Sequence, residues 1–394
     1  MNQWAERVEW DGIVEMAKEL VAIPSPSGEE LAVMEFVIGW CAARGIEHQV
    51  LAKDPARPNV VISIGDPVAG PTIVMNGHLD TVPVSDAGAW ASGPFEPRLS
   101  EDGKHLFGRG SGDMKASTGV MIYLMGLLKD APLKGCLQAH VVSDEELSGR
   151  FGTLHLLEEI EAGRLTRPDY CLIGEKSDLK VRNAERGILG LEVTFLGRAS
   201  HTAAARATGI NAIAKAAKGV LALEQDLDRF HPSVGKPVIS VNTIQAGVAH
   251  NVVPGECMIS IDRRLVPGET KESAVAEVRA VLDGVAAEDP DFRYELTVDP
   301  HGDFIEANIT DESSPLVAAL QQSVRTVMGQ EPEWFVAWAG ATDGRFYRQA
   351  GIDTVGFGPG GERAHGANEC VYIDDLVVQA RVYAETITRL LGAA

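Results

Sequence analysis

Between residues 11 and 173 the chain alternates helical and strand patterns, and this alternation limits its fold more than any other feature. Residues 11–21, 29–44, 114–129 and 151–162 read as helices. Residues 60–64, 72–75, 137–142 and 170–173 are short apolar runs, the first two bounded by glycine and proline. Such runs read as buried strands. Strands alternating with helices imply an α/β architecture, a sheet covered by helices.

The texture changes near Glu185. Residues 189–197 (LGLEVTFLG) alternate in strand fashion, a helix pattern runs over 209–227, and strands follow at 238–245 and 257–264. A helix over 270–287 and a strand over 294–298 complete a βαββαβ order, the ferredoxin-like split unit. Helix–strand alternation resumes after His301, with 314–328, 354–357 and 373–391. At 394 residues the chain exceeds one compact core. The organisation expected is a discontinuous α/β domain, 1–184 and 299–394, with an inserted α+β domain over 185–298. No internal repeat or low-complexity tract is present.

Charge removes some functions. With 35 Lys plus Arg against 56 Asp plus Glu, the net charge is −21, which argues against nucleic acid or an anionic membrane as partner. The apolar helical run 119–128 is far short of the ~20 residues that span a bilayer. The first ten residues mix charges with apolar groups and carry no signal-peptide core. The five cysteines form no CxxC pair and are odd in number, which reads as reduced core thiols in a cytoplasmic protein.

Histidines and carboxylates recur at or near the ends of these strands. Gly77-His78-Leu79-Asp80 follows the run 72–75. In an H-x-D pair the imidazole can bind a metal while the carboxylate orients its other nitrogen, although loop polarity alone often yields such a trio. Gly108-Arg109-Gly110-Ser111-Gly112-Asp113 allows a sharp turn and sets Asp113 at a helix start, where an N-cap aspartate is the plainer reading. This run lacks the Walker ending and the Rossmann spacing, so a nucleotide loop is discounted. Ser143-Asp144-Glu145-Glu146 ends a buried strand with three acids, a costly arrangement that a cation or a solvated loop relieves. Glu175 directly follows the run 170–173, and His365 lies past 354–357. Independent loop polarity would not keep producing these residue types at strand ends. Two histidines, several carboxylates and no cysteine suit divalent zinc, manganese or cobalt. Glu145 beside Glu146 suits a general base next to a ligand.

The motifs GHLDTVP, GRGSGDMK, SDEE, GRASHTA and NVVPGE…DRRLVPGE, with the late His365, resemble in order those of a metallohydrolase family. That family includes acetylornithine deacetylase, succinyl-diaminopimelate desuccinylase, aminoacylase and glutamate-releasing carboxypeptidases. The resemblance covers nearly the whole chain. It implies a di-metal catalytic domain, zinc first with manganese or cobalt as alternatives, and an inserted lid that forms a homodimer. It further implies that His78, Asp113 and Glu175 hold one ion, and that Asp113 bridges to a second held by Glu146 and His365. Glu145 would be the general base and Asp80 the support of His78. His201 would polarise the substrate carbonyl, often from the partner subunit, while Arg264 and Asn251 would hold a substrate carboxylate. Read without the resemblance, His201 is an ordinary surface or core histidine; for Arg264 the plainer alternative is a surface salt bridge.

Two departures stand out. Lys176 follows Glu175 where the family often has proline, and Ala341 replaces a hydroxyl residue in Ala341-Thr342-Asp343-Gly344-Arg345. The second puts succinyl recognition in doubt. Trp334 and Trp338 read as core, and His105, His250 and His301 carry no supporting pattern. The function expected is metal-dependent hydrolysis of the amide bond of an N-acyl amino acid or short peptide. Hydrolysis of a non-peptide C–N bond in an unusual small molecule is the alternative. A binding protein that has lost its chemistry is disfavoured, because Glu145 and every matched ligand are present.

Overall fold

The computed structural model describes residues 1–302, 304–335 and 340–392. Trp338 lies outside them. The chain forms two compact units. The larger comprises Met1–Asn183, Thr310–Phe335 and residues 342–392, and the main body of the smaller is Ala184–Ile309. The smaller unit thus runs past residue 298, because the short strand Asn308–Ile309 pairs with Ala184–Glu185 inside it.

The larger unit is built on a six-stranded sheet in the order Glu47–Leu51, Asn59–Gly65, Cys136–Val142, Thr72–His78, Tyr170–Ile173, Asp353–Gly356. The last four strands run parallel, and the first two pair antiparallel. Thr72–His78 and Cys136–Val142 are buried along their whole length, which is why they read as unbroken apolar runs. Their side chains alternate between two helical layers. Ile73 and Met75 join the core formed with Val120, Met121 and Leu124 of helix Ala116–Leu128 and with Tyr383 of helix Ile373–Leu390. Val74 faces the other way, toward Cys171, Ile173 and Tyr347.

The strand Glu47–Leu51 escaped periodicity because EHQVL, on a sheet edge, is mostly exposed. A second small sheet carries no sequence signature: Gly361–Glu362, Cys370–Tyr372, His105–Phe107 and Arg98–Leu99, in that order. Its strands are too short to show a period. All five cysteines are buried and unpaired. Trp334 is half-buried against the main core. No helix among the described residues is long and apolar enough to cross a membrane.

The smaller unit has a four-stranded antiparallel sheet in the order Val238–Ala246, Glu256–Leu265, Gly187–Leu196, Arg293–Val298. This is the ferredoxin-like arrangement. Leu189, Leu191, Val193 and Phe195 point to one face and pack with Ala216, Leu223, Val278 and Leu282 of helices Ala212–Leu223 and Lys271–Glu288. The first helix starts later than its sequence pattern, because Asn211 caps it by accepting from the N–H groups of Ile213 and Ala214.

Candidate active site

Register brings the candidate residues of the larger unit together. His78 is the last residue of its strand and lies beside Val142. Asn76 lies beside Ile173, and Ile173 beside Gly356. The segments leaving these parallel strands, which carry Glu145 and Glu146, Glu175, and finally His365, therefore emerge at one end of the sheet. Open α/β sheets place their ligands at this carboxyl end.

Asp113 arrives by a different route. It lies in the segment Ser111–Lys115 that leads into helix Ala116–Leu128, where its own backbone is extended, at φ −138° and ψ 97°. The N-cap reading is corrected here, because its carboxylate faces two histidines instead of capping the helix. Oδ1 is 3.2 Å from Nε2 of His78, and Oδ2 is 3.1 Å from Nε2 of His365. Nε2 of His78 is also 3.3 Å from Oε1 of Glu175, and Nε2 of His365 is 3.1 Å from Oε2 of Glu146. One oxygen of Asp113 thus faces the His78–Glu175 pair and the other faces the His365–Glu146 pair. Oε2 of Glu145 stands 4.0 Å from Nε2 of His78. Donor atoms of His78, Asp113 and Glu146 converge within 4.8 Å, as do those of His78, Glu145 and Glu175.

Asp80 does more than its sequence position suggested. Nδ1 of His78 is closer to the main-chain oxygen of Asp80, at 2.9 Å, than to its carboxylate, at 3.5 Å. The carboxylate accepts from the N–H groups of Glu145 and Glu146 at 3.1 and 3.2 Å, and from Oγ of Ser27 at 2.7 Å. Asp80 therefore orients His78 and also fixes the turn that carries both glutamates. Asp144, in the left-handed region at φ 70°, makes that turn. Its carboxylate pairs with Arg57 at 2.7 Å, and Arg57 pairs with the buried Glu30 at 2.6 Å. Nothing in the local sequence marked Arg57 or Glu30.

The electrostatics are those of a crowded acidic site. Burial pushes Glu145 well above the usual carboxylate range; His78 opposes the shift, and Glu175, Asp343 and Asp113 reinforce it. Burial and Asp113 push Glu175 up to about 7. His365 is raised to about 10 by Asp113 and Glu146. Burial disfavours charge on His78, yet Asp113, Asp80 and Glu175 hold it well above its ordinary value. Burial also opposes charge on Asp113, and His365 and His78 outweigh it. These protons sit where cations would replace them. Oε1 of Glu146 and Oε2 of Glu175 are buried and meet no hydrogen-bond donor among the described residues. An all-oxygen and imidazole donor set with spare buried carboxylate oxygens fits divalent cations.

Asp343 stands two residues after Ala341 and no local pattern marks it. It is buried, pushed up to about 6 by burial, and accepts from Oγ1 of Thr153 at 2.7 Å. Lys176 pairs with Asp178 at 2.9 Å, so its charge is compensated locally.

The remaining candidates belong to the smaller unit. Strand Ser200–His201 pairs with Val252–Val253, and the N–H of Thr202 donates to the main-chain oxygen of Asn251 at 3.0 Å. Residues distant in sequence, His201 and Asn251, are thereby brought side by side, both exposed. Arg264 is held by its neighbour Asp262 through two bonds of 2.7 and 2.8 Å.

Comparison with known proteins gives consistent results. Residues 74–389 match the model of Peptidase family M20/M25/M40. The chain is 30% identical over 391 residues to succinyl-diaminopimelate desuccinylase of Marinobacter nauticus, covering 96% of this chain and 98% of that one. A tripeptidase from Staphylococcus aureus superposes with a TM-score of 0.78 at 20% identity, covering 98% of this chain and 99% of the other. A dinuclear metal-binding peptidase of the M20 family from Bacillus subtilis superposes with a TM-score of 0.72 at 19% identity, with coverage of 98% and 99%.

Proposed function

Since the chain belongs to Peptidase family M20/M25/M40 and is a metallohydrolase of amide bonds in N-acyl amino acids or short peptides, we propose that it acts through two divalent ions, zinc first. One would be held by His78, Asp113 and Glu175, and the other by Asp113, Glu146 and His365. The observation that carries this reading is the division of the Asp113 oxygens between two His–Glu pairs.

When bound, the ions supply Lewis acidity to the scissile carbonyl and lower the pKa of water. The chain's own residues do the rest. Glu145 takes a proton from the attacking water as oxygen adds to the carbonyl carbon, and returns it to the nitrogen as the C–N bond breaks. The products are a carboxylate and an amine. Asp80 keeps Glu145 and Glu146 in place through their backbone N–H groups. His201 donates to the oxygen on which negative charge develops. Arg264 and Asn251 hold a carboxylate of the substrate, which competes with Asp262 for the guanidinium fork.

The protein would work as a cytoplasmic homodimer joined through the smaller unit. Its strand Val238–Ala246 is an open sheet edge with a mostly exposed face, and Ile244 is 55% exposed there. Unpaired edges of this kind recruit another chain.

Hydrolysis of N-acetyl and N-succinyl amino acids, dipeptides and tripeptides by chelated protein resupplied with Zn²⁺, Mn²⁺ or Co²⁺ tests the reading. Activity should vanish on chelation and return with metal, while circular dichroism stays unchanged, because the large apolar core needs no metal. Metal-independent turnover would sink the mechanism.

A further inference from the structure

The glycine-rich run 108–112 has the form of an anion-binding loop, yet no part of the mechanism above uses it. Successive backbone N–H groups in such a turn converge on negative charge. Here they converge on a side chain of the same protein. Oε1 of Glu369 accepts from the N–H groups of Gly112 and Asp113 at 2.9 and 3.0 Å. Oε2 accepts from the N–H of Gly110 at 3.1 Å and from Nη1 of Arg109 at 2.5 Å. Glu369 is fully buried. The glycines are needed for this approach: Gly110 is left-handed at φ 78°, and a Cβ there would lie 2.6 Å from Thr81.

The same grouping reaches the other side of the site. Nη2 of Arg109 donates to the main-chain oxygen of His365 at 3.0 Å. The main-chain oxygen of Glu369 accepts from the N–H of Gly108 at 3.1 Å. His365 itself lies in the left-handed region, at φ 64°. Its imidazole is 52% exposed, so little packing holds it. One buried carboxylate and one guanidinium therefore join the loop carrying Asp113 to the loop carrying His365.

We propose that Glu369, acting with Arg109, is a positioning residue that sets the distance between Asp113 and His365 and so determines the affinity of the second cation site. The inference rests on the two-cation reading above. Glu369 offers no free oxygen to an ion, since each of its oxygens already accepts two hydrogen bonds. Its effect passes through the two ligands. Removing such a supporting partner typically costs about 10–100-fold in metal affinity.

The test is calorimetric and spectroscopic titration of metal-free protein with Co²⁺ alone, comparing wild type, Glu369→Gln and Arg109→Lys. The amide of Glu369→Gln sets an NH₂ group against N–H donors. Arg109→Lys keeps the charge but cannot span Glu369 and His365 together. Both variants should bind the second Co²⁺ at least ~10-fold more weakly than wild type and lose more affinity there than at the first ion, which shares Asp113 but not His365, with an altered visible absorption band for the second ion. A purely structural role would lower the apoprotein melting temperature and weaken both ions alike; that result overturns the proposal, as does an unchanged second affinity. If Glu369→Gln does not fold, Arg109→Lys decides by the same criteria. A wild-type protein that binds only one Co²⁺ removes the two-cation reading and this inference together. Two ions in wild type with unchanged variants removes this inference alone.

Discussion

Glu145 and Glu146 are adjacent in the chain, and their surroundings separate their work. Glu146 reaches His365, whereas Glu145 stands back from His78 at 4.0 Å, among the carboxylates that raise its pKa. On the proposed mechanism, Glu145→Gln keeps size and metal content but removes the proton acceptor. Its kcat should fall by roughly 10²–10⁴-fold at unchanged metal stoichiometry. Full activity in that variant would exclude Glu145 as the base. A second residue-scale effect concerns stability. His140 is buried in the central strand Cys136–Val142, bonded to the hydroxyl of Tyr347 at 2.7 Å, and burial lowers its pKa to about 3. The folded protein therefore leaves it neutral where the unfolded chain protonates it, below pH ~6.5. Stability should fall as pH drops through the interval from there toward 3, by up to ~1.4 kcal/mol per pH unit from this group. In His140→Asn the acid limb of the urea midpoint against pH should be shallower than in wild type. Parallel limbs would show that His140 is not held neutral.

At the scale of elements, a short turn depends on a distant loop. Strand Cys136–Val142 leads through Ser143 into Asp144, whose left-handed backbone aims the two glutamates that follow. Arg57, in the loop before strand Asn59–Gly65, supplies the charge that Asp144 and Glu30 need. Both acids are almost fully buried. Arg57→Met should leave them uncompensated and cost on the order of 3–5 kcal/mol in urea unfolding. Activity should decline with it, because the turn loses its anchor. A variant with native stability and native kcat would show the pair to be dispensable. Helices are legible here through their period and buried strands as unbroken apolar runs, and the run 170–173 coincides with the observed strand. The edge strand Glu47–Leu51 was not, since one mostly exposed, largely polar strand has no period to show.

At the scale of the whole molecule, every candidate ligand lies in the larger unit and His201 lies in the smaller. If a partner subunit supplies His201, then Glu145→Gln and His201→Ala, each impaired alone, should recover part of the activity when mixed. One site of the heterodimer then carries both intact residues. Sedimentation should show a dimer at micromolar concentration, and an Ile244→Lys change on the open edge should weaken it. Exchange of subunits without recovered turnover would assign His201 to its own chain or to no catalytic role.

Residue order alone determined a good deal about this protein. The repeated appearance of His78, Glu145, Glu146 and Glu175 at strand ends pointed to one site, because parallel strands in neighbouring register end together. The alternation around residues 187–298 pointed to an inserted unit, because amphipathic period is a local property. The tertiary structure decided which oxygen of Asp113 faces which histidine, that Asp80 grips two glutamate N–H groups, and that Glu369 fills the glycine loop. These depend on contacts such as that between Arg109 and Glu369, which are 260 residues apart. No local pattern encodes a contact of that separation; it exists only once the sheet and its crossing helices have brought the two loops to the same end of the fold.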